Sequence, residues 1–534
     1  MEQGNDRTAL TRRDMLFAIL AVAAGALGIG FRLWDLASEP LWLDEAYSAY
    51  AASKGFGFLW EIVPQYETHP PFYYSLLRVW TLIFGDDLAA LRSLGALCGI
   101  AAIGAGVLAA REIGLATGRD ARGRAVLMSA AAMLLALATL PIEMTREVRP
   151  YPVMALVYAG LIAALFRLAR RMGAGASLRS RAYLVYLALL ALLLWLHNLG
   201  VLYAAAAGLS LLVLCCRRDW ARQDWIALVA GHLVVLLVWL PALAILSSQA
   251  PTWVQSTWLH FSFSERLPWT VARLFVTATW WSAVCSTLLV LLGWFGLRKR
   301  PTGVRTGWAL TILAFLPLLL SLAISATIAP VFIPRTMAAL AVPAMLLLAL
   351  GVAGGRILWL RLFALALLLV ILVDMILADV HQRRLRPSED WYRLIGWLEP
   401  RFQPGDMVLA YPNEGVMAFR FALRDKRLAM PAQAIPSEVP ALNAGPGAWN
   451  PTGSRGVVSL PQARLEAIAR ESDIRRVPTI WLLRQGAWAY DKDDHFLHAL
   501  ERDRTRVGRV FSWPIEIIGL RRKDLPLDNT GRSP

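Results

Sequence analysis

Charge is scarce in this chain. Only 17% of its 534 residues are Asp, Glu, Lys or Arg, while 57% are hydrophobic and the mean hydropathy is +0.50. A soluble globular chain is nearer a quarter charged and interrupts its apolar stretches more often, so a soluble fold is excluded. Cysteine is scarce too. Cys98, Cys215, Cys216 and Cys285 fall in or beside apolar runs, without the paired spacing of a disulfide framework or a zinc site. They read as small buried residues, and redox chemistry is not indicated. The formal net charge is +16, yet no basic stripe interleaved with aromatics marks a soluble domain, which argues against nucleic acid as a partner. There is no internal repeat.

What the chain does have is apolar runs long enough to cross a hydrocarbon core, recurring from Leu16 to Leu377. Arginine marks the loops between them, as cytoplasmic loops require. Its clusters are Arg12–Arg13, Arg111–Arg124, Arg167–Arg181, Arg217–Arg222, Arg298–Arg305 and Arg356–Arg361. With these inside, the expected spans are 15–33, 90–110, 125–141, 153–169, 182–197, 199–216, 225–245, 271–296, 307–329, 336–354 and 357–378. That is a mainly α, polytopic helical bundle of about 11 spans in the inner (plasma) membrane, N-terminus cytoplasmic. Thr11–Leu16 loosely resembles a twin-arginine export signal, but a retained first helix gives the same pattern.

Pro71–Phe84 is apolar but covers only about 21 Å as a helix. It is expected to lie on the outer leaflet, with Tyr73, Tyr74 and Trp80 near headgroup level. The outer surface then holds 34–70, 141–152, His197–Asn198, 247–270, 329–335 and everything after about Asp379. The domains expected are 1–379, within the membrane, and 380–534, a small extracytoplasmic α/β domain. In the latter, a helix over 387–402 opened by Ser388, strands at 407–410, 479–483 and 515–520, and a helix over 494–505 are expected, with 431–454 as loop.

Carboxylates, imidazole and unexpected arginines collect on this outer side. Asp44-Glu45 follows the first span; an acid there is suited to accept a proton from a hydroxyl, although a solvated acidic pair is the plainer reading. Glu67-Thr68-His69-Pro70-Pro71 fixes His69 near the interface, where an imidazole binds phosphate or shuttles a proton. The second outer loop carries Glu143, Arg146, Glu147, Arg149 and Tyr151, and Arg335 follows Pro334. Guanidinium groups suit phosphate oxygens, and pairing with Glu143 and Glu147 is the competing reading. Trp253, Trp258, His260 and Trp269 would line a lipid slot or form an interfacial aromatic belt.

LWDLASEPLWLDEAYSAY, THPPFYYSLLRVWTLIFG, TREVRPYPVMALVYAGL and PRTMAALAVPA resemble the GT-C superfamily of polytopic glycosyltransferases. They are most similar to glycosyltransferase family 39, with its related protein O-mannosyltransferases and lipid A aminoarabinose transferases. The resemblance covers about Arg32 to Leu350. It implies a polyprenyl-phosphate sugar donor and an extracytoplasmic acceptor that is a glycolipid, a cell-envelope polymer or a protein. Asp44 is implied as the base, with Glu45 and His69 close by. Arg149 and Arg335 would contact the donor phosphate, and Glu147, with Glu143 competing, would be the second-loop acid beside Tyr151. No β-trefoil insertion is present, so protein O-mannosylation is not favoured.

The implied mechanism is an inverting single displacement in which arginines stabilise the departing phosphate. No cofactor is required; a divalent ion is an alternative to arginine. The competing function is a lipid-linked sugar transporter or flippase. That reading asks for ionisable groups at mid-membrane, whereas the spans are nearly free of charge, Asp374, close to an outer end, being the exception.

Overall fold

A computed structural model describes residues 12–216, 220–257, 259–277, 279–355, 357–383, 389–453 and 455–526. Each of the eleven apolar segments is mostly helix. Among the described residues seven helices are long and apolar enough to cross a membrane, and the pair Ala121–Leu137 and Thr139–Thr145, bent by 54°, makes an eighth span if taken together. Phe17–Leu33, Arg181–Leu196 and Gly200–Cys215 are apolar but shorter. The chain is a multi-pass membrane protein.

Two boundaries differ from expectation. The segment 271–296 is not one helix: Leu267–Phe275 ends before Trp280–Arg298 begins. The break is held by side chains, since the hydroxyls of Thr277 and Thr279 and the indole N–H of Trp281 all donate to the Asp374 carboxylate. Helix Arg222–Ser256 runs through residues read as outer loop. Its 35 residues reach roughly 52 Å, well beyond a ~30 Å hydrocarbon core.

The residues divide into two compact units. The first comprises 12–36, 92–244 and 261–383. Helices in a membrane gain little from hydrophobicity and associate by close packing at small residues. A Cβ on Gly28 would lie 2.2 Å from the Ala136 carbonyl oxygen, and one on Gly351 would lie 2.1 Å from that of Leu289. Glycine at these two places lets backbones touch. The buried Arg32 guanidinium donates to the carbonyls of Gly28, Leu135 and Ala136, satisfying groups that the end of helix Ala121–Leu137 leaves without an intrahelical donor.

The second unit comprises 37–91, 245–260 and 389–526. It contains a five-stranded sheet of β1 (Met407–Ala410), β2 (Ala432–Ala434), β3 (Thr479–Gln485), β4 (Arg504–Ser512) and β5 (Ile515–Arg522), in the order β2-β1-β3-β5-β4. β1 pairs in parallel with β2 and β3, and β5 is antiparallel to β3 and β4. β3 is buried along its whole length; Ile480 and Leu482 share a core with Leu409, Phe496, Ile518 and Leu520.

Ser388 lies outside the described residues. The helix there is Trp391–Leu398, capped by Asp390, whose carboxylate accepts the Arg393 N–H. The helix expected over 494–505 is shorter, His495–Glu501, because the chain then enters β4.

Candidate functional site

Asp44 and Glu45 do not sit in a loop. They occupy the first turn of helix Leu43–Ser53, where the exposed N–H groups and the helix dipole favour negative charge. Glu45 reaches back so that its Oε2 accepts the Trp42 N–H at 3.3 Å, which gives this carboxylate a capping task. The Leu43 N–H donates to Glu389 Oε2 at 2.8 Å, so a carboxylate 346 residues away holds the same helix end. Asp44 is buried and pairs through Oδ1 with Nη2 of Arg455. The Arg455 guanidinium also lies over the Tyr47 ring, 5.0 Å from its centroid. Burial pushes this guanidinium down to about 10, so it remains a cation at neutral pH.

Helix Phe72–Phe84, read as interfacial, follows the two prolines, with Pro71 as its cap residue. Tyr73 and Tyr74 are buried rather than exposed to headgroups: Tyr74 packs edge-on against Tyr47, with ring centroids 5.6 Å apart. His69 is half-buried, and its backbone N–H donates to Glu67 Oε1 at 3.2 Å. Glu67 therefore shapes the turn that presents His69.

Burial also pushes the carboxyl groups of Glu389 and Glu414 up, to about 7 and about 8. For Glu389 the Leu43 N–H opposes the rise; for Glu414 the charge of Glu389 adds to it. Gln485, buried on β3, stands beside Gly415.

The cations predicted from the sequence gather in the first unit. Arg335 Nε donates to the Tyr151 hydroxyl at 3.2 Å, and the Arg149 guanidinium lies 5.8 Å from the Tyr151 ring centroid. Arg149 and Tyr151 are buried. His197 joins them, its ring 6.1 Å from that of Tyr151. Burial, followed by the charges of Arg149 and Arg335, pushes His197 down to about 3, which keeps it neutral at physiological pH. Its Nδ1 accepts the Leu199 N–H at 3.1 Å, which leaves the ring proton on Nε2 as a donor. The group thus offers two guanidinium groups, a phenol and a neutral imidazole, a donor set matched to phosphate oxygens.

Glu143 pairs with Arg273 at 2.6 Å. Glu147 is half-buried in the turn before Tyr151. Trp258 lies outside the described residues, and Trp253 belongs to the extended helix Arg222–Ser256. Among the described residues no three His, Cys, Asp or Glu side chains gather as a metal-binding group.

Arg455, Glu389 and His197 were missed by sequence reading. Arg455 is 411 residues from Asp44 within a glycine-rich stretch, where nothing local distinguishes it. His197 did carry a signal, as a lone imidazole between two apolar runs on the side that holds the other candidates.

No protein-family model matches the sequence, and no curated protein does. Among solved structures the chain is similar to ArnT from Cupriavidus metallidurans in the apo state, at 16% identity over 95% of this chain and 97% of that one, with a TM-score of 0.55. The same enzyme bound to undecaprenyl phosphate gives 13% identity, the same coverage and a TM-score of 0.53. The archaeal oligosaccharyltransferase AglB from Archaeoglobus fulgidus, in complex with an inhibitory peptide and a dolichol-phosphate, gives 13% identity, 97% and 75% coverage and a TM-score of 0.51. The chain therefore shares the fold of these structures.

Proposed function

We propose that this protein is a membrane glycosyltransferase that moves a sugar from a polyprenyl-phosphate donor to an extracytoplasmic acceptor, with inversion at the anomeric carbon. The observation that carries the reading is the cluster of buried Arg149, Tyr151 and His197 with half-buried Arg335, a phosphate-type donor set. Two similar structures support it, since one holds undecaprenyl phosphate and another a dolichol-phosphate.

In this reading Asp44 removes the proton from the acceptor hydroxyl as that oxygen attacks the anomeric carbon. The bond to the phosphate oxygen breaks on the opposite face of the ring, and Arg149 and Arg335 take up the charge that develops there. Phosphate leaves without protonation, so a second catalytic acid is unnecessary. Glu45 and Glu389 hold the helix end that carries the base, and Glu67 holds the turn of His69 near it. Glu147 is the second-loop acid in preference to Glu143, which is committed to Arg273.

The transporter reading draws less support. Arg32 is spent on backbone carbonyls, and Glu112 pairs with Arg111 and Arg170. These contacts tie helices together and do not line a path. The test is to supply purified protein with a labelled polyprenyl-phosphate sugar and an envelope-lipid extract. Sugar appearing on an acceptor supports the proposal; intact donor crossing a bilayer with no chemical change refutes it.

A further inference from the structure

Helix Leu43–Ser53 has a second face. At 100° per residue, Asp44, Tyr47 and Ser48 share one side, while Ala46, Ala49, Tyr50 and Ser53 share the other. The second side walls a cavity of about 200 Å³ in which arginine dominates the polar lining: Arg78, Arg420 and Arg424, with Asp86 and Glu438 as the acids. All of these residues belong to the second unit.

Two of the three cations are answered. Arg420 pairs with Glu438 Oε1 and Arg424 with Asp86 Oδ2, each at 2.6 Å. Each also donates to a backbone carbonyl, of Ala432 and Asp86 respectively, which fixes the guanidinium planes. Arg78 is different. Its Nε is buried without a hydrogen-bond partner, and no carboxylate pairs with it among the described residues. Glu438 Oε2 is likewise buried without a partner. The cavity therefore has one positive charge in excess and, beside it, an acceptor lacking a donor.

Arg78 is half-buried, and a partly buried cation without a counter-charge is unfavourable, as is a buried acceptor atom with no donor. A ligand that answers both brings an anionic oxygen and a hydroxyl. Arg78 also sits on helix Phe72–Phe84, whose outward side exposes Val79, Leu82, Ile83 and Phe84. An apolar helix face beside a basic cavity suits a molecule with acyl chains on one and a headgroup in the other. The cavity is smaller than the roughly 300 Å³ at which drug-sized ligands begin to fit, so it takes a headgroup only.

We propose that this cavity is a binding site for an anionic lipid with a hydroxyl-bearing phosphodiester headgroup, its phosphate on Arg78 and its hydroxyl on Glu438. The site lies on the side of the helix away from Asp44 and does not depend on the sugar-transfer reading.

Native mass spectrometry of the full-length protein, titrated with dioleoyl phosphatidylglycerol and separately with dioleoyl phosphatidylcholine, tests it. Tighter retention of phosphatidylglycerol by tenfold or more is expected, falling to the phosphatidylcholine level in Arg78→Gln. Ser53→Trp, which fills the cavity mouth and leaves every arginine in place, should lose the preference as well. It decides the matter alone should Arg78→Gln not fold. A preference that survives Ser53→Trp overturns the site. Equal displacement of the lipid by an equimolar amount of free glycerol phosphate overturns the lipid assignment in favour of a soluble phosphate.

Discussion

The carboxylate of Asp44 is bonded to the guanidinium of Arg455, both side chains about nine-tenths buried. A buried pair of this kind is costly to break from one side, because the partner is left charged without compensation, typically by 3–5 kcal/mol. It also means that the proposed base is held by a cation from the far end of the chain, so fold and chemistry meet in one contact. The two roles separate by mutation. Asp44→Asn should lose transfer by 10²-fold or more and also unfold at lower temperature. Adding Arg455→Met should restore most of the thermal stability and none of the activity. Activity that returns with stability would assign Asp44 a purely structural role.

Arg149→Ala and Arg335→Ala are expected to raise KM for the donor at least tenfold while leaving KM for the acceptor within about twofold. Lysine should rescue poorly at either position, since an ammonium cannot reproduce the planar fork that meets two phosphate oxygens. Steady-state kinetics with each substrate varied in turn checks this. Equal losses toward both substrates would count against a phosphate role.

Glu389 and Glu414 make stability fall as pH rises. Both carboxyls are pushed above the ordinary value of 4.5, to about 7 and about 8, so the folded state holds protons that the unfolded chain has released. Their contribution is complete near pH 4.5 and lost progressively up to about pH 8. Thermal unfolding between pH 5 and 8.5 should show this decline, and Glu414→Gln should flatten it. An unchanged slope in that variant would place the proton elsewhere.

Topology follows from arginine placement and is checked with single cysteines in a background lacking the four native ones. A cysteine at the exposed Ser53 should react with a membrane-impermeant maleimide in intact cells, and one at the exposed Gly175 only after permeabilisation. The reverse pattern would turn the protein over in the membrane.

The membrane helices were legible because hydropathy is a local property, and each expected span is mostly helix, with 271–296 broken. The short helix Leu43–Ser53 was not, since LDEAYSAYAAS has no sustained apolar stripe and owes its form to capping by Glu45 and anchoring by Glu389. β4 was missed, its first two residues falling in the helix expected over 494–505: RTRVGRVFS lacks a regular apolar alternation and lies on an edge strand, a weak signal beside the helical run before it. Asp44, Arg149, Tyr151 and Arg335 stood out as polar residues in segments expected on one side of the bilayer. Arg455, Glu389 and His197 were hidden because their meaning comes from partners distant in sequence.

The central claim is that sugar leaves a polyprenyl phosphate here and that Asp44 is required for it. Purified wild type and Asp44→Asn, each in nanodiscs with a labelled polyprenyl-phosphate sugar and envelope lipids, should be compared for release of polyprenyl phosphate. Release by the wild type, matched mole for mole by glycosylated acceptor and absent from the variant, is the predicted result. Equal release by the two proteins would contradict the account.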